Sequence, residues 1–273
     1  MNRILCSTGA LLGRANGRDF TLLADLEKRL ECDGFELMMY DDWYEKADAA
    51  ASFLTGLKKP FVTFHVEKGV GDIISRNADG DSERALILFE LNCKLARTIG
   101  SEKLVLHLWS GPDSDKDMPH CIEMYSRCRD IARKYDIVLT VENVVCNRND
   151  PISNMHTVLK AYPDAVFTYD TKMAEFHGQL MDIALDENRS LWEKVVHLHV
   201  NDYKGGVMDW SRLKTLHLGE GQIDFERFFE FVRGTGYKGD ITVESTSFGK
   251  TDGIIDTDKM NRSLIRAREL MNG

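Results

Sequence analysis

Apolar positions along the chain alternate between two textures. Short runs rich in β-branched and aromatic residues recur about every 25 to 40 residues, and most are separated by longer stretches whose apolar side chains return at spacings of three and four. The runs predict strands over Ile4–Cys6, Phe35–Met38, Phe61–Phe64, Leu104–Leu106, Val138–Val141, Ala165–Thr168, Val195–Val200 and Ile241–Val243. Among the intervening stretches, Ser82–Ile99 sets Leu88, Leu91, Leu95 and Ile99 on one helical face, and Gly100 follows as a stop. Ile122, Tyr125, Arg129 and Ala132 mark a second face in a segment ending near Asp136. Phe225–Val232 forms a third helix, with Asp224 as N-cap. Core packing is the simplest role for these apolar residues.

Strand–helix alternation predicts parallel βα units, since parallel neighbours need a long crossover. Eight units in 273 residues fit a single (β/α)8 TIM barrel of the α/β class, with one domain over residues 1–273. An open doubly wound sheet would also tolerate eight strands, but the GxGxxG fingerprint expected after its first strand is missing. Linker-like composition, low-complexity tracts and long charge runs are also missing.

Composition narrows the partners. Lys and Arg number 35 against 44 Asp and Glu, a net charge of −9, which disfavours a polyanion; no nucleic-acid partner is expected. The six cysteines (Cys6, Cys32, Cys93, Cys121, Cys128, Cys146) form no CxxC pair and fit reduced thiols in a cytosol. The first residues read as a strand and not a signal peptide, and no run approaches the roughly 18 apolar residues a membrane span needs. A soluble cytoplasmic protein without membrane contact is expected, and the sequence leaves both monomer and homo-oligomer open.

In a barrel, function gathers where strands end and βα loops begin. Here the third to eighth strands end at His65, His107, Glu142, Asp170, His199 and Glu244. Any one of these alone is most simply a structural histidine or a solvated carboxylate. Together they would repel one another or stay unsatisfied unless a cation neutralised them. A Glu, Asp, His, Glu set is oxygen-rich with one imidazole, which suits Mn2+, Mg2+ or Co2+ and also admits Zn2+.

The strings Val141-Glu142-Asn143, Tyr169-Asp170-Thr171, His197-Leu198-His199-Val200-Asn201-Asp202, Leu218-Gly219-Glu220-Gly221-Gln222-Ile223-Asp224-Phe225 and Val243-Glu244 resemble the xylose-isomerase-like TIM-barrel superfamily over nearly the whole chain. That superfamily holds sugar epimerases resembling D-tagatose 3-epimerase, inosose and dehydroshikimate dehydratases, and endonuclease IV; the pattern is nearest to the epimerases. The resemblance implies one divalent metal on Glu142, Asp170, His199 and Glu244. It also implies Glu142 and Glu244 as the acid/base pair of an isomerase or epimerase, acting through an enediolate on a small sugar, sugar phosphate or polyol ketone. A dehydratase is the alternative, and an endonuclease IV-like phosphodiesterase a more distant one.

His65 and His107 match positions where endonuclease IV holds a further zinc with the glutamate as bridge. A second metal is therefore open there, and the milder reading has both imidazoles binding sugar hydroxyls. Trp109 and Lys204 are further substrate-contact candidates; Trp43 and Tyr44 stand as a candidate wall for a sugar ring, and Glu36 as structural. The family pattern D-x-x-H is broken by Met173, with His177 as a substitute that could point inward. The residues completing a third zinc are not found beside His217. Rim loops are expected to carry Glu67, Asp113, Asp115, Asp117, Asp202 and Glu220, partly offset by Lys68, Lys116, Lys172 and Lys204, a charge balance that admits a neutral sugar more readily than a duplex.

Overall fold

A computed structural model describes residues 2–273. The described strands are β1 (Ile4–Ser7), β2 (Gly34–Met38), β3 (Phe61–His65), β4 (Lys103–Leu106), β5 (Val138–Glu142), β6 (Val166–Asp170), β7 (Val195–Val200) and β8 (Asp240–Val243). They form one closed parallel barrel in chain order, with helices between them, as the alternation predicted. The helices are α1 (Leu23–Arg29), α2 (Ala47–Leu54), α3 (Lys68–Arg76), α4 (Asp81–Thr98), α5 (Met118–Lys134), α6 (Pro151–Ala161), α7 (Thr171–Phe176), α8 (Arg189–Trp192), α9 (Phe225–Gly234) and α10 (Thr257–Asn272). None is long and apolar enough to cross a membrane.

By density of contacts the described chain groups into two compact units. Among the described residues the first comprises 2–36, 57–60 and 169–273, and in it β1 pairs with β8 in the register Leu5↔Thr242. There β7 also pairs with β8, His199 lying beside Thr242. The second comprises residues 37–56 and 61–168 and contains the β3–β4 and β4–β5 pairings, with His65↔Val105 and Leu106↔Val141. Burial on both faces explains why these strands read as continuous apolar runs.

Helix starts follow the capping logic. Asp224 accepts from the Arg227 N–H at the start of α9, as the sequence predicted, and Asp150 and Asp256 accept in the same way at α6 and α10. The buried stripe of α4 differs from the expected leucine face: it is Ala85, Phe89, Asn92, Cys93 and Ala96, joined by Leu95, while Leu91 is 40% exposed. Small residues and one aromatic give the closer contact, and spacing alone counted the bulkier residues on the flank. On α5 the stripe is Cys121, Met124, Tyr125, Cys128, Ile131 and Ala132, so Tyr125 and Ala132 were placed correctly whereas Ile122 and Arg129 lie at its margin. All six cysteines are free and buried, behaving as small apolar residues.

Two loops after strands are tied by buried carboxylates. Asp202 accepts from the backbone N–H groups of Gly219, Gly221 and Ile223 at 3.0, 2.8 and 3.1 Å. That explains the glycines of the Leu-Gly-Glu-Gly string. Gly219 has φ +90, and a Cβ on Gly221 would lie 2.2 Å from the Asp202 carboxylate. In the other unit Asp115 accepts from the backbone N–H groups of Asn147, Arg148 and Asn149, which holds the loop after β5. Both acids are therefore structural, not part of the exposed charge expected on the rim. Asp202→Ala is expected to cost on the order of 3 kcal/mol by stranding several loop N–H groups. Urea unfolding checks this, and a loss below about 0.5 kcal/mol would contradict it.

Candidate metal centre

Residues two apart on a strand share a face. Thr63 and His65 on β3, Thr140 and Glu142 on β5, Thr168 and Asp170 on β6, and His197 and His199 on β7 are such pairs. Thr242 on β8 with Glu244 just beyond it is another, and each rim residue thus stands above a small or polar one. The lower residues bond laterally, Thr140 Oγ1 lying 2.7 Å from Thr168 Oγ1.

Within the second unit, two imidazoles converge on one carboxylate. His65 Nδ1 lies 2.8 Å from the Val66 carbonyl, which can only accept, so that nitrogen carries the proton. Its other nitrogen, Nε2, lies 3.3 Å from Glu142 Oε2. His107 Nε2 approaches the same oxygen to 2.7 Å without hydrogen-bond alignment. Burial outweighs the neighbouring Glu142 and lowers the His107 pKa to about 4, so the ring is neutral near pH 7. The two rings meet edge to face, with centroids 4.8 Å apart.

Within the first unit, Asp170 caps α7. Its Oδ1 accepts from the Met173 N–H at 2.7 Å and its Oδ2 from Asn201 Nδ2 at 3.1 Å, which fixes the carboxylate. Met173 contributes its backbone here, and its side chain is buried. His199 Nε2 lies 3.0 Å from Glu36 Oε2, while its Nδ1 lies 3.6 Å from Glu244 Oε2, beyond hydrogen-bond range. Glu36 is fully buried and also meets His197 Nε2 at 2.9 Å. Burial alone would raise its pKa, but the charge of His199 and the hydrogen bonds from both histidines hold it well below the usual carboxylate range.

In the first unit the donor atoms of Asp170, His199 and Glu244 lie within 4.8 Å of one another, and in the second so do those of His65, His107 and Glu142. The other candidates fall elsewhere. Trp109 is fully buried and donates its indole N–H to the Val144 carbonyl at 2.9 Å; Trp43 is also buried, and Tyr44 accepts from Asn92. Lys204 is exposed in the loop after β7. His177 is half-buried with its ring against Phe176. His217 bonds Ser263 and the Thr246 carbonyl, so its role is to join the last loops to α10. Lys172 is buried, whereas Glu220 pairs with Lys259 at 2.8 Å. A groove of about 790 Å³ lined by Trp192, Phe231 and Tyr237 opens at the N-terminal ends of β7 and β8, away from the strand ends that carry these acids and histidines.

Asn201 and Glu36 were not picked out as residues that hold the ligand set. Ser7 and Ser245, at the ends of β1 and β8, were passed over too; the hydroxyls of both and Asn201 Oδ1 are buried without a hydrogen-bond partner. The signal was available as the repeated string Thr-x-His, Thr-x-Glu or Thr-x-Asp at strand ends, with Asn201 two residues after His199.

A closed barrel with metal-capable side chains at its strand ends defines a class shared by many enzymes. The family model described as xylose isomerase-like TIM barrel matches residues 24–265, and the chain belongs to that family. Among solved structures, a D-tagatose 3-epimerase-like protein is similar at 18% identity and TM-score 0.72, over 99% of this chain and 98% of that one. D-allulose 3-epimerase from Methylomonas sp. in complex with D-allulose gives 17% and 0.70, over 98% and 96%. The IOLI protein with a binding zinc atom gives 13% and 0.68, over 99% and 98%. No curated protein sequence matches the chain.

The depressed His107 pKa has a consequence for stability. The folded protein resists a proton that the unfolded chain accepts near pH 6.5, so stability falls as pH drops from about 6.5 toward about 4. Between pH 7 and pH 5 this group alone should remove about 2 kcal/mol. Urea unfolding of metal-free wild type and His107→Asn at both pH values checks it. An equal loss in the two proteins would contradict the assignment.

Proposed function

We propose that the protein is a divalent-metal-dependent isomerase or epimerase acting through an enediolate on a small sugar, sugar phosphate or related polyol ketone. Glu142, Asp170, His199 and Glu244 hold the cation, and Glu142 and Glu244 are the acid/base pair. The carrying observation is the gathering, within each unit, of acids with histidine: the donor atoms of Asp170, His199 and Glu244 lie within 4.8 Å of one another in the first, and those of His65, His107 and Glu142 in the second. Like charges so placed do not stay ionised without a compensating positive charge. The donor set fits such an ion: His199 turns Nδ1 toward Glu244 Oε2, 3.6 Å away, and Asp170 is oriented by two N–H donors.

An oxygen-rich set with one imidazole suits Mn2+, Mg2+ or Co2+ and also admits Zn2+. The ion would supply Lewis-acid polarisation of the substrate carbonyl and favour negative charge on the enediolate. One glutamate removes the proton beside the carbonyl and the other returns one on the opposite face. His65 and His107 meet substrate hydroxyls, or with Glu142 hold a second ion; Lys204, exposed in the loop after β7, is a further substrate contact, whereas Trp109 is packed away. The buried unsatisfied groups of Ser7, Asn201 and Ser245 support a polyhydroxylated ligand, which can meet several such atoms at once. The similarity to a D-tagatose 3-epimerase-like protein and to a D-allulose 3-epimerase supports the same class.

The test is incubation with D-fructose, D-tagatose, D-allulose and related ketoses in D2O with Mn2+ or Co2+, followed by NMR. Deuterium beside the carbonyl together with an isomerised product is expected; loss of water would place the protein with dehydratases. Glu142→Gln and Glu244→Gln should each lower turnover by on the order of 10³-fold while leaving the circular dichroism spectrum unchanged. Near-normal turnover in either variant contradicts the acid/base assignment. His199→Ala should lower bound metal and Met173→Ala should not, which elemental analysis reads directly.

A further inference from the structure

Glu36 sits one layer below the proposed metal ligands, fully buried, and a single oxygen of its carboxylate gathers three groups. Oε2 lies 3.0 Å from His199 Nε2, 2.9 Å from His197 Nε2 and 3.3 Å from Thr242 Oγ1. Carboxylate oxygens accept, and a carboxylate beside a metal-ligating histidine ordinarily takes the N–H of its second nitrogen, so these neighbours are placed to donate. The proton of His199 is thereby placed on Nε2. With Nε2 engaged by Glu36, Nδ1 is the ring nitrogen on the side of Glu244, whose Oε2 lies 3.6 Å away. Without Glu36 the ring would be free to take either tautomer, and one of them blocks Nδ1 with a proton.

The second histidine has a part in the same device. His197 and His199 lie two apart on β7 and so share a face, and their rings meet edge to face with centroids 5.1 Å apart. His197 Nε2 is also 3.0 Å from Thr242 Oγ1, on the neighbouring strand. Two imidazoles and a hydroxyl thus meet one oxygen of Glu36.

We infer that Glu36 is a positioning residue that fixes the His199 tautomer, presenting Nδ1 as the cation-binding atom. The inference rests on the metal reading proposed above for its consequence and on the first unit's own contacts for its geometry. Carboxylate partners of this kind orient metal-ligating histidines and raise their basicity, and their loss commonly costs about 10- to 100-fold in metal affinity. Glu36 touches neither substrate nor cation in this account, so it acts only through His199.

Two measurements test it. Nitrogen-15 NMR of metal-free wild type, with His199 assigned by His199→Asn, is expected to show a neutral ring protonated at Nε2. A ring protonated at Nδ1, or at both nitrogens at pH 7.5, overturns the inference, and this readout needs no metal and no substrate. Titration with Mn2+ and Co2+ by calorimetry should then show Glu36→Gln binding about 10- to 100-fold more weakly than wild type, with Glu36→Asp intermediate. Glu36→Gln binding within twofold of wild type, in a protein that unfolds cooperatively, also overturns it. If wild type binds neither ion while His199 carries its proton on Nε2, the metal reading fails and the positioning of His199 stands. Should Glu36→Gln fail to fold, the tautomer measured in wild type decides.

Discussion

Negative charge buried inside the barrel is the constraint on which the rest of the structure depends. Each buried carboxylate has to be met by donors, and most are met in a way that builds structure. Asp115 and Asp202 collect loop N–H groups, Asp170 collects one from its own helix and one from Asn201, and Glu36 collects two imidazoles and a threonine. Each of these acids is a knot that fixes a loop, a helix start or a ring orientation. Such anchors put the strand ends where chemistry can use them.

Glu142 is met differently. Its neighbours are two imidazole nitrogens approaching one oxygen; one ring is neutral at ordinary pH, and its nearby nitrogen makes no hydrogen bond. A nitrogen lone pair 2.7 Å from a carboxylate oxygen is unfavourable, and a shared cation or proton relieves it. A buried His107 nitrogen without a hydrogen bond, held against a carboxylate oxygen, is the signature expected of a site built to receive an ion or a polar ligand.

The barrel was legible because its strands are short, buried on both faces and regularly spaced; the start of β7, the end of α4 near Gly100 and the Asp224 cap all fall where the pattern set them. The strand-end acids and histidines were legible for the same reason, since period two carries a rim residue to a known face. Roles that depend on what a side chain reaches across space were not legible. Asp115 and Asp202 read as exposed rim charges because loop sequence does not reveal which backbone N–H groups fold back on a carboxylate. Trp109 could be stacked on a sugar or packed away in one dimension; in three, its indole is buried and bonded to Val144. Leu91 looked like core because spacing does not register that Phe89 and Cys93 fill the inner stripe.

The central claim is that the gathered acids and histidine exist to bind a divalent cation. The direct measurement is metal content of the protein purified without chelator, by elemental analysis, followed by calorimetric titration of the stripped protein with Mn2+, Co2+, Mg2+ and Zn2+. One tightly held ion per chain, lost in His199→Ala, is the expected result; two per chain would add His65 and His107 as ligands of a second. Absence of any bound ion, together with no heat on titration of folded protein with all four metals, would contradict the claim.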